Sequence, residues 1–303
     1  MKALVIGFGS IGQRHARILK EMGLDVYIVS RRLNDNQVSY SNVSEALLEN
    51  NFEYIVIANE TVAHLYTLHQ IIDMDFRGIV LVEKPLFLNY EKLNSMPSKI
   101  FVAYNLRFNP LLEAVKKLLI GEVVISVNAY VGQYLPTWRP NTDYSKGYSA
   151  SSELGGGVLR DLSHELDYLT LLFGEWQCLV SNKEKISSLA IQSEDYVQLS
   201  YKTDKQIYVA VELNYLDRIM QRYMTIQTNT KTIKVDFIHN SINCNGVITQ
   251  FEMLDRDYTY KKQHENVLSG GSTCCTFAEG LKLMQMIEAV ETSSQQRKWV
   301  YND

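Results

Sequence analysis

The first residues that could do chemistry form a glycine-rich turn near the start of the chain. Residues 7–12 have the spacing G-x-G-x-x-G and stand between an apolar run, 2–7, and a stretch of helical periodicity, 11–22. Such glycines allow a ligand to approach closely, and the amides and dipole of a helix N-terminus favour a pyrophosphate. The alternative is a tight strand-to-helix turn without a ligand. The residues predicted to hold a dinucleotide here are Gly7, Gly9, Ser10, Ile11 and Gly12.

The end of the second predicted strand bears on which dinucleotide is bound. An acidic residue about 20 positions after the turn would bind the ribose 2′-hydroxyl of NAD. This chain has Ser30-Arg31-Arg32 there, with two guanidinium groups and no carboxylate. Arginine pairs bidentately with phosphate, so these residues predict NADP in preference to NAD, with NAD as the second choice. The alternative is that both arginines are solvated loop charges.

The pattern of apolar residues predicts the elements that carry these groups. Short, nearly continuous apolar runs at 25–30, 53–58, 78–83 and 99–104 are separated by helical segments, as in a parallel sheet buried on both faces. From about residue 122 the strands become longer and alternate, which favours a largely antiparallel sheet. We therefore predict an α/β protein: a Rossmann domain, 1–120, that binds NAD(P), and a C-terminal α/β domain, 121–303, with a large, mostly antiparallel open sheet.

Composition excludes several classes of partner. The 303 residues include 30 Lys and Arg against 34 Asp and Glu, a formal net charge of −4, and no basic block marks a nucleic-acid or anionic-membrane surface. No apolar run approaches the roughly 18 residues of a membrane span. The four cysteines contain no C-x-x-C pair, so we expect reduced thiols and no metal site. A cytoplasmic location follows as an expectation.

Four further motifs follow the predicted strands and a later loop. They are Ala58-Asn59-Glu60-Thr61 with His64, Glu83-Lys84-Pro85, Tyr104-Asn105-Leu106-Arg107-Phe108, and Gly155-Gly156-Gly157 followed by His164-Glu165-Leu166-Asp167. With these motifs the chain resembles, nearly end to end, the Gfo/Idh/MocA oxidoreductases. The segment 134–150 is similar to a branch of that family met in bacterial surface-glycan pathways.

The resemblance implies an activity and a set of site residues. Most members transfer a hydride between a tightly held NAD(P) and a carbon of a sugar, polyol or nucleotide sugar, and their open sheet commonly mediates oligomerisation. We therefore expect a carbohydrate substrate and a homodimer or homotetramer. Further cofactor contacts are implied at Ala58, Asn59, His64, Glu83, Lys84 and Asn105.

Lys84 and His164 are the candidates for catalysis. Hydride transfer from an alcohol needs a base for the hydroxyl proton and a cation or donor for the oxygen. A helix over 161–172 would bury a stripe of leucines and place Asp161, His164 and Tyr168 together on its other side. The family aspartate lies four residues before the histidine, where this chain has Arg160, and Asp161 lies three before it. Which of the two takes the place of that aspartate is left open.

A basic and aromatic group predicts substrate contacts. Aromatic rings stack on sugar rings, and guanidinium groups pair with phosphate or carboxylate. An interface or an ordinary loop would use the same residue types. The predicted substrate-binding residues are Arg107, Trp138, Arg139, Tyr144 and Tyr168.

Two other functions stay open at this point. The first is a catalytically silent member of the fold that senses a nucleotide and binds a partner protein. The second is an enzyme acting on a non-sugar carbonyl or imine, such as a linear tetrapyrrole, because a fold does not determine its substrate.

Overall fold

The computed structural model describes residues 1–31, 39–91, 93, 99–139 and 142–302. The chain divides into two compact units. The first comprises Met1–Phe108 and Asp255–Met284, and the second comprises Asn109–Leu254 and Gln285–Asp303.

The N-terminal stretch alternates strands and helices. Its elements are β1 (Lys2–Ile6), α1 (Ser10–Glu21), β2 (Asp25–Val29), α2 (Val43–Glu49), β3 (Tyr54–Ile57), α3 (Thr61–Asp73), β4 (Ile79–Val82) and β5 (Lys99–Val102), followed by a 3-10 helix at Asn105–Phe108. The four strands predicted at 25–30, 53–58, 78–83 and 99–104 are therefore confirmed.

The middle stretch begins with a helix and continues mainly as strands. Its elements are α4 (Pro110–Leu118), β6 (Val124–Gly132), α5 (Val158–Asp161), α6 (His164–Phe173), β7 (Trp176–Glu184), β8 (Tyr196–Thr203), β9 (Tyr208–Asn214), β10 (Gln221–Thr228), β11 (Thr232–Asp236), β12 (Ser241–Cys244) and β13 (Val247–Gln250), with 3-10 helices at Leu135–Thr137, Tyr144–Lys146 and Tyr148–Ala150. The C-terminal stretch consists of α7 (Tyr258–Leu268), β14 (Cys275–Thr276), α8 (Phe277–Gln296) and β15 (Val300–Tyr301).

The first unit is built on a mostly parallel sheet. Among the described residues its strands follow the order β14-β5-β4-β3-β1-β2, and only the pairing of β14 with β5 is antiparallel. Strands β1, β3 and β4 are almost entirely buried, which explains their continuous apolar sequences. All their carboxyl ends meet at one edge, where α/β proteins bind ligands.

The second unit is built on a larger sheet. Its described strands follow the order β13-β12-β11-β10-β6-β9-β8-β7-β15, and only β6 and β9 pair in parallel. Strand β8 shows the expected alternation, with Val197, Leu199 and Tyr201 buried and Gln198 and Ser200 exposed. The predicted fold class, a mostly parallel and a mostly antiparallel sheet in one α/β chain, is confirmed.

The path of the chain differs from the single boundary predicted between residues 120 and 121. Residues 255–284 belong to the first unit, because β14 pairs with β5 and α7 packs on α1 and on the 3-10 helix Asn105–Phe108. A hydrogen bond of 2.8 Å from Asn105 Nδ2 to Thr259 Oγ1 fixes this return. Among the described helices, none is both long and apolar enough to cross a membrane.

Candidate active site

The glycine turn lies between β1 and α1, at the carboxyl edge of the first sheet. Gly7 has φ of 99° and packs so closely that a Cβ atom there would lie 2.5 Å from the backbone nitrogen of Asn59. A Cβ at Gly12 would collide with the carbonyl oxygen of Gly7. A Cβ at Gly9 would meet no described atom within 4 Å. Packing within the protein therefore requires the first and third glycines but not the second.

These residues fit a dinucleotide pyrophosphate. The space beside Gly9 is where a ligand would approach the backbone, and a side chain would fill it. Gly9 also precedes the first residue of α1, whose first turn contains no acidic side chain. The positive end of the helix dipole is thus left for an external anion.

The end of β2 places one arginine at the surface. Ser30 is buried, and its backbone nitrogen donates to the carbonyl oxygen of Tyr40 at 3.1 Å. Arg31 is exposed, and Arg32 lies outside the described residues. One of the two guanidinium groups predicted to select NADP is thus accessible.

The loop after β3 is fixed from within the first unit. Ala58 donates its backbone N–H to Ile6 at 2.8 Å, and Asn59 Nδ2 donates to Thr67 Oγ1 at 2.8 Å. His64 is buried, with Nε2 3.1 Å from the carbonyl oxygen of Asn59 and Nδ1 3.2 Å from that of Pro85. Burial lowers the pKa of His64 below its usual 6.5, against the opposing effect of the carbonyl contacts. His64 therefore joins the loops after β3 and β4.

Glu83 and Lys84 lie directly after β4. The backbone N–H of Glu83 continues the sheet by donating to Ile57 at 2.8 Å. Its carboxylate Oε1 lies 2.8 Å from His15 Nε2, and its Oε2 accepts from the backbone N–H of Lys84 at 3.2 Å. Lys84 is half-buried. His15 was not among the predicted site residues, and its position three residues after Gly12 is the signal that could have suggested it.

Two predicted residues after β5 face the interior of the first unit. Asn105 is buried and bonds Thr259, as described above. Arg107 is also buried, and its Nη1 donates to Glu279 Oε1 at 3.0 Å. Burial alone would raise the pKa of Glu279, but Arg107 lowers it overall. The role of Arg107 in substrate binding stays a prediction, and its charge already has a partner in the fold.

In the second unit, His164 begins α6. The single helix expected over 161–172 is interrupted: α5 ends at Asp161 and α6 starts at His164. Ser163 Oγ donates to the carbonyl oxygen of Arg160 at 2.9 Å, a side-chain bond that competes with helical pairing. The predicted apolar stripe is nevertheless buried, from Leu162 to Phe173.

Arg160 and Asp161 point to different partners. The Arg160 guanidinium binds both carboxylate oxygens of Glu291, at 2.6 and 3.3 Å, and Lys183 Nζ donates to the same carboxylate at 2.9 Å. Asp161 Oδ2 accepts from the Tyr215 hydroxyl at 2.6 Å. Burial, with Asp161 adding to its effect, raises the pKa of Tyr215 well above 10. Arg160 thus belongs to an internal ion pair, and Asp161 is the carboxylate that precedes the turn to His164.

Tyr168, another predicted substrate contact, lies on α6 in the second unit. It is fully buried, with its hydroxyl 3.3 Å from Glu165 Oε1 and its ring packed 5.5 Å from that of Phe237. Glu165 in turn accepts from Arg222 of β10 at 3.3 Å. The role of Tyr168 in substrate binding stays a prediction, and its hydroxyl already has a partner within the second unit.

Three other predicted substrate residues line one cavity of about 260 Å³ in the second unit. The cavity walls include Trp138, Arg139, Asp143, Tyr144, Lys146 and Tyr148. The Trp138 ring meets the Tyr215 ring edge-on at 5.1 Å, so Tyr215 contacts both the cavity wall and Asp161. Sequence analysis missed Tyr215, because nothing in its local sequence distinguishes it from other tyrosines. Trp138 Nε1 is buried and has no hydrogen-bond partner among the described residues.

Comparisons with known proteins give matches only among solved structures. No protein-family model and no curated protein matches the sequence. The WlbA dehydrogenase from Bordetella pertussis, in complex with NADH and UDP-GlcNAcA, superposes with a TM-score of 0.82 at 18% identity, over 100% of this chain and 98% of that one. An oxidoreductase from Agrobacterium radiobacter, in complex with NAD+, L-tartaric acid and magnesium, gives 0.84 at 16% identity, over 99% and 98%.

A third solved structure also matches along the whole of this chain. The aldose-aldose oxidoreductase from Caulobacter crescentus, complexed with glycerol, gives a TM-score of 0.82 at 15% identity, over 100% of this chain and 99% of that one. At these identities the likeness concerns the fold, along the whole chain. The structural neighbours are oxidoreductases of the Gfo/Idh/MocA type, and this chain has their two-domain fold.

Proposed function

We propose that the protein is a NAD(P)-dependent oxidoreductase that transfers a hydride between nicotinamide and a carbon of a sugar, polyol or nucleotide sugar. One observation carries this proposal. The glycine turn, with open space only at Gly9, and the Glu83-Lys84 pair follow two parallel strands that end at the same sheet edge. Two of the neighbours with this fold were crystallised with NADH or NAD+.

The chain's own residues would manage the charge and the proton of the reaction. When bound, the dinucleotide supplies or accepts the hydride. In the oxidation of an alcohol, His164 takes the hydroxyl proton as the carbon gives up its hydride, and it returns a proton in the reverse direction. Lys84 offers a cation to the oxygen as its negative charge develops. Asp161 would support His164 from the preceding turn.

The cavity in the second unit supports a carbohydrate substrate. Trp138 and Tyr144 offer aromatic rings to a sugar, and Arg139 and Lys146 offer cations to a phosphate or carboxylate. Lys146 Nζ lies 3.4 Å from Asp143 Oδ2, and both Lys146 and Arg139 are exposed. A sugar or nucleotide sugar with an anionic group fits this lining, and a role in surface-glycan synthesis rests on the sequence resemblance of segment 134–150.

Of the two dinucleotides, NADP and NAD, the proposed cofactor is NADP. This assignment rests on the exposed Arg31 at the end of β2 and on the absence of a carboxylate from the described residues that end that strand. Two of the neighbours named above were crystallised with NADH or NAD+, so NAD is the cofactor to compare in every titration.

The proposed homodimer or homotetramer is supported by exposed apolar side chains of the second sheet. Large apolar side chains are exposed on or beside its strands, and three of them, Tyr208, Trp299 and Tyr301, line a concavity of about 530 Å³. Burial of such a surface by a second copy would remove apolar area from water. The exposed residues are Tyr208, Val247, Ile248, Trp299 and Tyr301.

The test of the proposed function is turnover with a panel of sugars, polyols and nucleotide sugars. Native mass spectrometry of the purified protein would first identify any retained dinucleotide. We expect the parent to oxidise at least one panel member and His164→Ala to lose that activity while binding the dinucleotide normally. Asp161→Asn should lower the rate if this carboxylate supports His164. Tight dinucleotide binding without turnover, together with cofactor-dependent capture of a partner protein, would favour the silent sensor instead.

A further inference from the structure

A buried chain of hydrogen bonds runs through the first unit and ends on Glu83. The Tyr54 hydroxyl lies 2.8 Å from His264 Nδ1, and His264 Nε2 lies 2.8 Å from His15 Nδ1. His15 Nε2 lies 2.8 Å from Glu83 Oε1. Tyr54, His264 and His15 are fully buried. These polar side chains therefore connect four elements inside an otherwise apolar region. Tyr54 lies on β3, His264 on α7 and His15 on α1, and Glu83 directly follows β4.

The protonation of the two inner members sets the direction of this chain. Burial, with smaller effects of Cys274 and Glu83, raises the pKa of Tyr54 well above 10, so its hydroxyl keeps its proton and can donate. Burial, with His15 adding to it, lowers the pKa of His264 well below 6.5. The His264 ring is therefore neutral and carries one N–H.

Each bond then fixes the next. When the Tyr54 hydroxyl donates to His264 Nδ1, the single proton of the His264 ring lies on Nε2 and is donated to His15 Nδ1. Because that nitrogen of His15 accepts, its proton lies on Nε2 and is donated to Glu83. The opposite direction would turn the Tyr54 hydroxyl away from His264 and would need either a proton on Glu83 or a second proton on the His15 ring. A carboxylate, which only accepts, is the natural end of such a chain.

The carboxylate at the end of the chain is held from both sides. His15 binds Oε1, and the backbone N–H of Lys84 binds Oε2 at 3.2 Å. Rotation of the Glu83 side chain would break both bonds. The chain does not carry protons to solvent at its far end, because Tyr54 is fully buried. Its geometry suits the holding of a position better than the transfer of a charge.

We propose that His15 and His264 are positioning residues for Lys84. The one-way chain from Tyr54 fixes the Glu83 carboxylate, and this carboxylate fixes the backbone from which the Lys84 side chain extends. The inference rests on the proposed function, in which Lys84 acts on the substrate oxygen. The segment 255–284, which returns to the first unit, contributes His264 through α7.

The first test reads the protons directly and needs no substrate. The protein is labelled with 15N in its six histidines, and their ring nitrogens are observed by NMR at pH 7. The signals of the His15 and His264 rings are assigned from His15→Gln and His264→Gln. We expect the neutral Nε2–H form for both. An imidazolium ion or an Nδ1–H form at either residue would overturn the direction of the chain.

The second test measures turnover. His264→Phe removes both hydrogen bonds of the ring and should lower kcat by about 10- to 100-fold, the usual effect of a small misplacement of a catalytic group. His264→Gln keeps one donor and one acceptor and should recover most of the rate. His69→Gln, on the exposed face of α3, is the control. Thermal unfolding shows whether each variant is folded.

The outcomes separate this proposal from the proposed function. Equal kcat in His264→Phe, His264→Gln and the parent would refute the positioning role. Equal losses in both folded His264 variants would mean that the ring is needed for packing rather than for its hydrogen bonds. If the parent itself shows no turnover, the proposed function fails, and the NMR result still decides whether the chain has the stated direction.

Discussion

Gly9→Ala should separate dinucleotide binding from folding. Gly9 has φ of −74° and ψ of −171°, which alanine adopts readily, and its added Cβ would meet no described atom within 4 Å. Alanine is a poorer helix N-cap than glycine, but it also restricts the unfolded chain. These effects oppose each other and leave a change in unfolding free energy within about 1 kcal/mol.

The loss of binding should be larger. The added methyl group would stand where a pyrophosphate must approach the first amides of α1, and a hydrogen bond to a charged group contributes about 1.5–3 kcal/mol. The dissociation constant should therefore rise by about 10- to 150-fold. Gly12→Ala is the contrasting variant. Its Cβ would collide with the backbone of Gly7, which should cost stability by about 1–3 kcal/mol.

The assay combines two measurements on both variants. Fluorescence titration with NADH and NADPH gives the dissociation constants, and urea unfolding gives the stabilities. We expect Gly9→Ala to be stable and weak in binding, and Gly12→Ala to be destabilised. A Gly9→Ala protein that is folded and binds both dinucleotides as tightly as the parent would refute the assignment of the turn.

Four further variants test the cofactor preference, the acid/base residue, an internal ion pair and the proposed oligomer interface. Arg31→Ala should erode a preference for NADPH over NADH by about 1.5–3 kcal/mol in titrations, and equal dissociation constants in the parent would contradict the NADP assignment. His164→Ala should lower kcat by roughly 10²–10⁴-fold without changing dinucleotide affinity, and a parental rate would place the acid/base elsewhere. Arg160→Met should destabilise the protein by about 1–3 kcal/mol at pH 7 in urea unfolding, because Glu291 keeps Lys183 as its second cationic partner. Burial would raise the pKa of Glu291 but its cationic partners lower it below 4.5, so the difference from the parent should shrink as pH falls below that value, and a constant difference would contradict the pairing. Tyr208→Lys should shift a dimer or tetramer towards monomer in sedimentation, and a monomeric parent would contradict the proposed interface.

The parts of the fold that follow from local pattern were predictable from the sequence. Continuous apolar runs identified the parallel strands, because both faces of that sheet are buried. The glycine spacing identified the turn, since Gly7 and Gly12 pack against backbone atoms that any side chain would strike. Trp138, Arg139 and Tyr144 were grouped by residue type, and the structure places them around one cavity.

The remaining features depend on contacts between distant residues. His15 and His264 are separated by 249 positions, and no local pattern pairs them. The two-residue strand β14 is too short to have a recognisable period, so the return of the chain to the first unit was not predicted. Arg107 has the residue type of a substrate ligand, and only the position of Glu279 shows that it belongs to an internal ion pair.

Hydride transfer from a carbohydrate carbon can be followed directly, because deuterium on that carbon would be transferred to the dinucleotide. The parent protein is incubated with NAD+ or NADP+ and with sugars, polyols and nucleotide sugars that carry deuterium on every carbon, and the dinucleotide is analysed by mass spectrometry. We expect a reduced dinucleotide containing one added deuterium to form with at least one substrate and to be lost in His164→Ala. A protein that binds the dinucleotide tightly but yields no deuterated product with the whole panel would contradict this expectation.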